Sequence, residues 1–283
     1  MEAAGPACPD RDARITIVRI ATWNVNSLSA RLPRLLSWLA TAEPDVVVLQ
    51  ETKLAQDAFP TAEVADAGYE SVHRGQGRWN GVAVLSRVGI GDVETDMPGV
   101  PGFPDPQDPP EARYIAATCA GVRVAGVYVP NGRTPQDPHY EYKLAWLRCL
   151  AEHLAAPATG TQPFAVLGDF NVAPADEDVW DIAQFAQSTH VTPPERQALA
   201  DLRALGLVDV VPTISKGPHP YTFWDYRAGS FHKAMGMRID LVYANASFAR
   251  GVRAAVVDRD ARKPGTKGTP APSDHAPVIV DLE

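Results

Sequence analysis

The chain has 283 residues, is 45% hydrophobic and 21% charged, and carries a formal net charge of −8. That length buries a substantial core, and the composition holds no apolar run long enough to span a bilayer. The acidic balance does not advertise a nucleic-acid binder either, because such proteins draw affinity from Lys and Arg through counterion release. Residues 1–14 mix Pro, Gly, Ala and charge without the unbroken apolar stretch of a secretory signal, and read as a loose leader before one domain over 15–283. Cys8, Cys119 and Cys149 lie far apart and outside any metal-ligand spacing, which fits free thiols in the cytoplasm.

Residues 15–22 and 45–49 are β-branched runs, and Leu32, Leu35, Leu36 and Leu39 between them recur at helical spacing. A strand, helix, strand opening follows. Residues 81–85, 114–118 and 122–129 read as strands, with Gly121 supplying the turn before the last. Residues 97–110 are so rich in Pro, Gly and Asp that they read as an exposed loop. Leu144, Leu147, Leu150 and Leu154 place a helix over 139–154, ahead of a strand at 164–167. A helix over 195–205 and strands at 221–224, 239–243, 252–257 and 278–282 complete the chain. Strands outnumber helices, a pattern that fits two face-to-face sheets covered by helices better than a barrel or a doubly wound sheet. The halves also echo each other weakly: strand, Asn24, helix and Glu51 against strand, Asp169, Asn171, helix and Asp274. Arg250, Arg253, Arg259, Arg262, Lys263 and Lys267 cluster late, as either a solvated loop or a phosphate-tracking surface.

Four polar signatures end or interrupt the apolar runs: Trp23-Asn24-Val25-Asn26, Gln50-Glu51-Thr52, Gly168-Asp169-Phe170-Asn171 and Ser273-Asp274-His275. Strand ends made of carboxylates, amides and one imidazole build a site if they converge, suited to a hard divalent cation and a phosphodiester. Glu51 follows Val46-Val47-Val48-Leu49 and anchors a metal on this reading, although a lone glutamate there is more often a cap or salt-bridge partner. Asn24 and Asn26 alternate along one strand, so both side chains share a face and orient metal water or a phosphate without adding charge. Gly168 permits a tight exit that aims Asp169 and Asn171 to one side, where Asp169 takes a proton from water or holds it in line. Asp240 is a carboxylate inside an apolar strand and needs a partner; an imidazole N–H from His275 would satisfy it and favour the charged ring. Tyr128 ends another strand and can give its hydroxyl to a phosphate oxygen, or serve the core. The string Tyr221-Thr222-Phe223-Trp224-Asp225-Tyr226-Arg227 is either core or an apolar recess beside a phosphate site.

Together with Asn80-Gly81-Val82-Ala83, Tyr128-Val129-Pro130-Asn131-Gly132, Arg238-Ile239-Asp240-Leu241 and Ser273-Asp274-His275-Ala276-Pro277-Val278, these strings resemble the exonuclease III family of class II apurinic/apyrimidinic endonucleases. The likeness runs over nearly the whole chain, and Gln50, Lys53, Tyr128 and residues 223–227 narrow it to the abasic-site branch within the endonuclease/exonuclease/phosphatase superfamily. The resemblance implies a four-layer α/β sandwich and dependence on Mg²⁺, with Mn²⁺ as substitute. It implies hydrolysis of the phosphodiester 5′ to an abasic site in duplex DNA, with 3′-to-5′ exonuclease and 3′-phosphatase activities, by a cytoplasmic monomer away from membranes. Glu51 and Asp274, with Asn24 or Asn26 nearby, become the metal shell. Asp169 and Asn171 become the water-handling pair, Tyr128 and His275 phosphate ligands, and Asp240 the group that orients His275. Phe223, Met237 and Ile239 would line the recess for the abasic sugar, with Trp224 and Arg227 beside it. The rivals are a phosphatase or phosphodiesterase for lipid or small-molecule phosphates on the same fold, and a non-catalytic damage-binding module. Residues 97–110 and 259–272 match no motif and leave the balance of activities open.

Overall fold

A computed structural model describes residues 18–214, 216–266 and 268–283. The leader, Cys8, the first three residues of the 15–22 run and Lys267 lie outside the described residues. In chain order the elements are β1 (Val18–Asn24), α1 (Leu28–Ala42), β2 (Val46–Gln50), α2 (Thr61–Asp66), β3 (Glu70–Arg74), β4 (Val82–Ser86), β5 (Gly91–Glu94) and β6 (Tyr114–Cys119). They continue with β7 (Val122–Tyr128), α3 (Pro138–Thr159), β8 (Phe164–Asp169), α4 (Pro193–Ala204), β9 (Val208–Asp209), β10 (Asp240–Ala244), α5 (Ala246–Gly251), β11 (Val252–Val257) and β12 (Val278–Leu282).

The strands form two six-stranded sheets, ordered β11-β12-β1-β2-β4-β3 and β5-β6-β7-β8-β10-β9. Each sheet has one parallel pair, β1 with β2 and β7 with β8, and every other pairing is antiparallel. Read across in the order given, the two sheets therefore carry the same sequence of strand directions. The echo between halves is real but aligns differently from the sequence reading: β1-α1-β2 corresponds to β7-α3-β8. Two equivalent crossovers put Glu51 and Asp169 just past, or at, the end of matching strands.

The valine run of β2 is apolar throughout because both of its faces are covered. Val46 and Val48 enter the core between the sheets, while Val47 and Leu49 enter the layer under α1 with Leu35, Trp38 and Leu39. In the second sheet Ala165 and Leu167 face the shared core, and Phe164 and Val166 pack under α3 with Trp146 and Leu150. These faces make the four-layer α/β sandwich expected from the sequence. The sheets approach closely at Gly126, where an added Cβ would lie 2.3 Å from Val48 Cγ1.

Two expectations change in the structure, and a third segment divides. Residues 221–224 form no strand; Phe223 makes single bridges to Met237 and to His275, because the Thr222 hydroxyl accepts the Ile239 and Asp240 N–H groups at 3.1 and 3.0 Å. The 97–110 loop is only partly exposed, since Met97 is buried and the Phe103 ring stacks on Tyr142 of α3 at 5.1 Å. The late basic segment divides: Arg262 is buried against Tyr226 and Phe231 and Arg259 packs on Phe231, whereas Arg250, Arg253 and Lys263 are exposed, the last two in ion pairs with Glu283 and Asp260.

Candidate active site

Because the parallel pairs face each other across the sandwich, the ends of β1, β2, β7 and β8 open on one cavity of about 350 Å³. Glu51, Tyr128, Asp169, Asn171, Phe223, Ile239, Asp274 and His275 line it, with Asn26, Asn131, His190, Asp225, Tyr226 and Arg227. The backbone is strained where the strands release these side chains. Asn26, Glu51, Lys53, Asn171 and His190 hold φ of 43°, 52°, 53°, 52° and 83°, a left-handed region that costs a non-glycine residue on the order of 1–3 kcal/mol. Gly168 is required before Asp169, since a Cβ there would fall 2.0 Å from the Val127 carbonyl oxygen.

Asn24 connects the two sheets. Its side-chain amide donates to Glu51 Oε1 and to Asp169 Oδ2, both at 2.9 Å, and its carbonyl oxygen accepts the Asn26 N–H at 2.9 Å. The buried amide thus spends its hydrogen bonds on positioning carboxylates, and Asn24 does not line the cavity. Asn26 donates to Asp274 Oδ1 at 3.0 Å, and Lys53 reaches both Asn26 Oδ1 at 2.6 Å and Glu51 Oε2 at 2.7 Å. Asn171 donates its backbone N–H to Asp169 Oδ1 at 2.9 Å and its side-chain amide to Asp169 Oδ2 at 3.2 Å. Across the cavity, His275 Nδ1 meets Asp240 Oδ2 at 2.8 Å, leaving Nε2 turned inward, 3.9 Å from Asp169 Oδ2.

Burial opposes the charged His275 ring, but Asp240, Asp169 and Asp274 outweigh it and push its pKa up to about 10. Burial drives the Asp169 carboxyl up to about 7; His275 pulls it down while Asp240 and Glu51 push it further up. For Glu51 burial again acts upward, yet Lys53 and the Asn24 amide hold the carboxyl below its ordinary value. Tyr128 stays a neutral donor, raised well above the usual phenol by burial and by Glu51, with the Arg113 guanidinium 4.5 Å from its ring centroid.

Oxygen atoms of Glu51 and Asp169 and a ring nitrogen of His275 lie within 4.8 Å of one another. Hard carboxylate donors, gathered where burial and like charge lift one of them to neutrality, fit a divalent cation that would relieve that repulsion.

The structure does not bring every residue expected at the site into it. Trp224 is buried in the shared core with its ring edge-on to Phe231, and Met237 sits behind the cavity among Val179, Val191 and Ile239. Trp224 and Met237 therefore support the wall and do not line it. Conversely, Asn131, His190, Asp225 and Tyr226 line it unforeseen as site residues. Asn131 and Tyr226 stood inside quoted motifs, whereas nothing around His190 marks it before the fold is known.

The family model described as Endonuclease/Exonuclease/phosphatase family matches residues 21–275. Over 278 residues the chain is 26% identical to Exodeoxyribonuclease III of Haemophilus influenzae, covering 94% of this chain and all of that one. The solved 3′ phosphatase NExo from Neisseria, bound to a product DNA hairpin, is 38% identical with a TM-score of 0.85, covering 94% of this chain and 99% of that one. An AP endonuclease from Archaeoglobus fulgidus superposes with a TM-score of 0.84 at 32% identity, over 94% of this chain and 99% of that one. The chain belongs to the endonuclease/exonuclease/phosphatase family, as a nuclease of its exonuclease III and AP endonuclease branch.

Proposed function

We propose that this chain is a Mg²⁺-dependent DNA repair nuclease that hydrolyses the phosphodiester 5′ to abasic sites in duplex DNA and processes 3′ ends as a 3′-to-5′ exonuclease and 3′-phosphatase. The observation that carries this reading is the Asn24 amide joining Glu51 of one sheet to Asp169 of the other, opposite the Asp240–His275 pair. One catalytic domain over 15–283 does the work as a cytoplasmic monomer, with 1–14 as leader. No helix among the described residues is long and apolar enough to cross a membrane. The 3′-end activities draw the stronger support, since the Neisseria relative named for one is 38% identical and the archaeal AP endonuclease 32%.

Glu51 would hold the cation, with Asp274 and Asn26 at the rim and an Asp169 oxygen facing it. Bound there, Mg²⁺ supplies Lewis-acid stabilisation of charge on the phosphate oxygens. Asp169, near neutrality in pKa, takes the proton of an attacking water while the Asn171 amide fixes its orientation. His275, kept cationic by Asp240, and the Tyr128 hydroxyl donate to the phosphate and stabilise the charge that develops as the P–O3′ bond breaks. Ile239 and Phe223 give the recess an apolar wall, and an abasic sugar enters at lower cost than a stacked nucleotide.

The test is a labelled duplex with one tetrahydrofuran abasic analogue, incubated with Mg²⁺ and with chelator, beside a duplex ending in a 3′-phosphate. A nick 5′ to the analogue, laddering from the 3′ end and phosphate release, all lost with chelator, are expected. Turnover of a lipid phosphate with intact DNA would replace this reading with that of a lipid phosphatase.

A further inference from the structure

The Lys143 ammonium of α3 and the Glu195 carboxylate of α4 form an ion pair in which neither side chain has any exposure, and no step above uses it. A buried pair is weak evidence for stability, because an apolar pair of similar volume does as well, so its place in the fold asks for another reason. Besides Glu195, the ammonium donates to the Asn171 carbonyl at 2.7 Å and to the Asn131 carbonyl and Thr189 hydroxyl at 3.2 Å each. Glu195 Oε1 accepts the Thr189 hydroxyl at 2.6 Å and the His190 N–H at 2.9 Å, while Oε2 accepts the Thr192 N–H and hydroxyl at 3.0 and 2.7 Å. One pair thereby fastens the turns at 129–131, 170–172 and 189–192. Asn131, Asn171 and His190 from those turns all line the cavity.

Asn171 and His190 are also held at φ of 52° and 83°, and the pair grips the carbonyl of the first and the N–H of the second. Turning the Asn171 carbonyl back onto the ammonium leaves its side chain directed at Asp169 and the Val129 carbonyl, with Asn131 Nδ2 donating to its Oδ1 at 3.0 Å. Strained residues persist where their surroundings over-determine them, and here the buried cation and anion reach both, beside the His190 Nδ1 contact to the Asn171 carbonyl and the Ala173 N–H on the His190 carbonyl.

We infer that Lys143 and Glu195 are positioning residues for the nuclease reaction, holding the left-handed turns at Asn171 and His190 and the turn at Asn131 that aim Asn171 and Asn131 into the cavity. The inference rests on Asn171 acting as proposed above. Neither charge lines the cavity, so their loss leaves substrate binding in place and misplaces the water-handling pair.

The test compares Lys143→Met/Glu195→Gln, a neutral pair of similar volume, with Thr189→Val, which removes one hydroxyl and keeps both charges. In the double variant kcat on DNA should fall roughly 10- to 100-fold with KM unchanged, the scale of a displacement of about 1 Å. Thr189→Val should show a smaller loss of the same kind, and amide hydrogen exchange over 170–172 and 189–191 should quicken in both. Wild-type kcat in the folded variants overturns the inference, as does a loss confined to melting temperature. If the double variant does not fold, Thr189→Val decides: a lowered kcat with unchanged melting supports the inference and an unchanged kcat overturns it. Should the wild type itself leave DNA intact, the proposed function fails, while quickened exchange in the variants still reports whether the pair holds the turns.

Discussion

Two groups of buried charge in this molecule are built on opposite principles. Behind the cavity, Arg238 is clamped bidentately by Asp178, at 2.6 and 3.0 Å, and by Asp209, at 3.1 and 3.0 Å, tying β9 and the turn at 176–178 to the chain entering β10. Every one of its interactions pairs opposite charges. At the cavity, Glu51, Asp169, Asp274 and the Asp240 carboxylate behind His275 share only His275 and Lys53, and one acid is lifted to about 7 by what surrounds it. The first group is closed, both carboxylates seated on one guanidinium, and serves the fold; the second holds two acids more than bases and leaves Asp169 with no cation among the described residues at hydrogen-bond distance, which is what a cation site requires.

The contrast breaks most sharply at Asp169. Asp169→Asn removes the base and should lower the hydrolysis rate by about 10³-fold or more, measured in single turnover. The same change relieves repulsion, so the variant should melt no lower than wild type. Arg238→Met probes the closed group: two buried acids lose their partner, and urea titration should show a loss of about 3–5 kcal/mol while the rate per folded molecule stays near wild type. Equal behaviour of the two variants would erase the distinction.

How far the sequence foretold this contrast depends on what each group needs. The site strings were visible because Glu51, Asp169 and His275 interrupt or terminate apolar runs, where a carboxylate or imidazole has no packing reason to be. The strands β11 and β12 match their expected ranges, since their β-branched runs have distinct ends. Side-chain direction is less legible: Trp224 lies inside a motif and Met237 beside one, but both side chains pack into apolar clusters behind the cavity. Lys143 went unnoticed because a lysine among helical leucines reads as a solvated residue. Glu195 carried a signal: Thr192-Pro193-Pro194-Glu195 is a capping box, which starts α4 two residues before the expected range. The short β5 and β9 lie at sheet edges and carry too little apolar pattern to be read.

Smaller effects sharpen the comparison. A divalent cation that binds only the surplus-charge cavity should raise the wild-type unfolding free energy by about 2.7 kcal/mol at 100 times Kd. Glu51→Gln should lose most of that gain in a thermal shift assay and Arg238→Met should keep it. Acidification reaches the cavity group first, because Asp169 takes up its proton near pH 7 in the folded protein. Burial pulls His73, His139 and His190 down from 6.5 to about 4, so between those pH values the unfolded chain takes up protons that these folded-state rings refuse. The stability these rings contribute is full above pH 6.5 and falls toward pH 4, by about 1 kcal/mol for each between pH 7 and 5 after screening by solvent, while protonation of Asp169 in the folded protein acts the other way. Urea titrations of wild type and His73→Gln at those two pH values check this: the variant should lose about 1 kcal/mol less than wild type between them.

Crystals soaked in Mn²⁺ and measured for anomalous scattering bear on the central claim most directly. A peak within coordinating distance of the Glu51 carboxylate, facing Asp169 across the cavity, is the expected result. A map with no peak there, or with its peak at Asp178 and Asp209, would contradict the account.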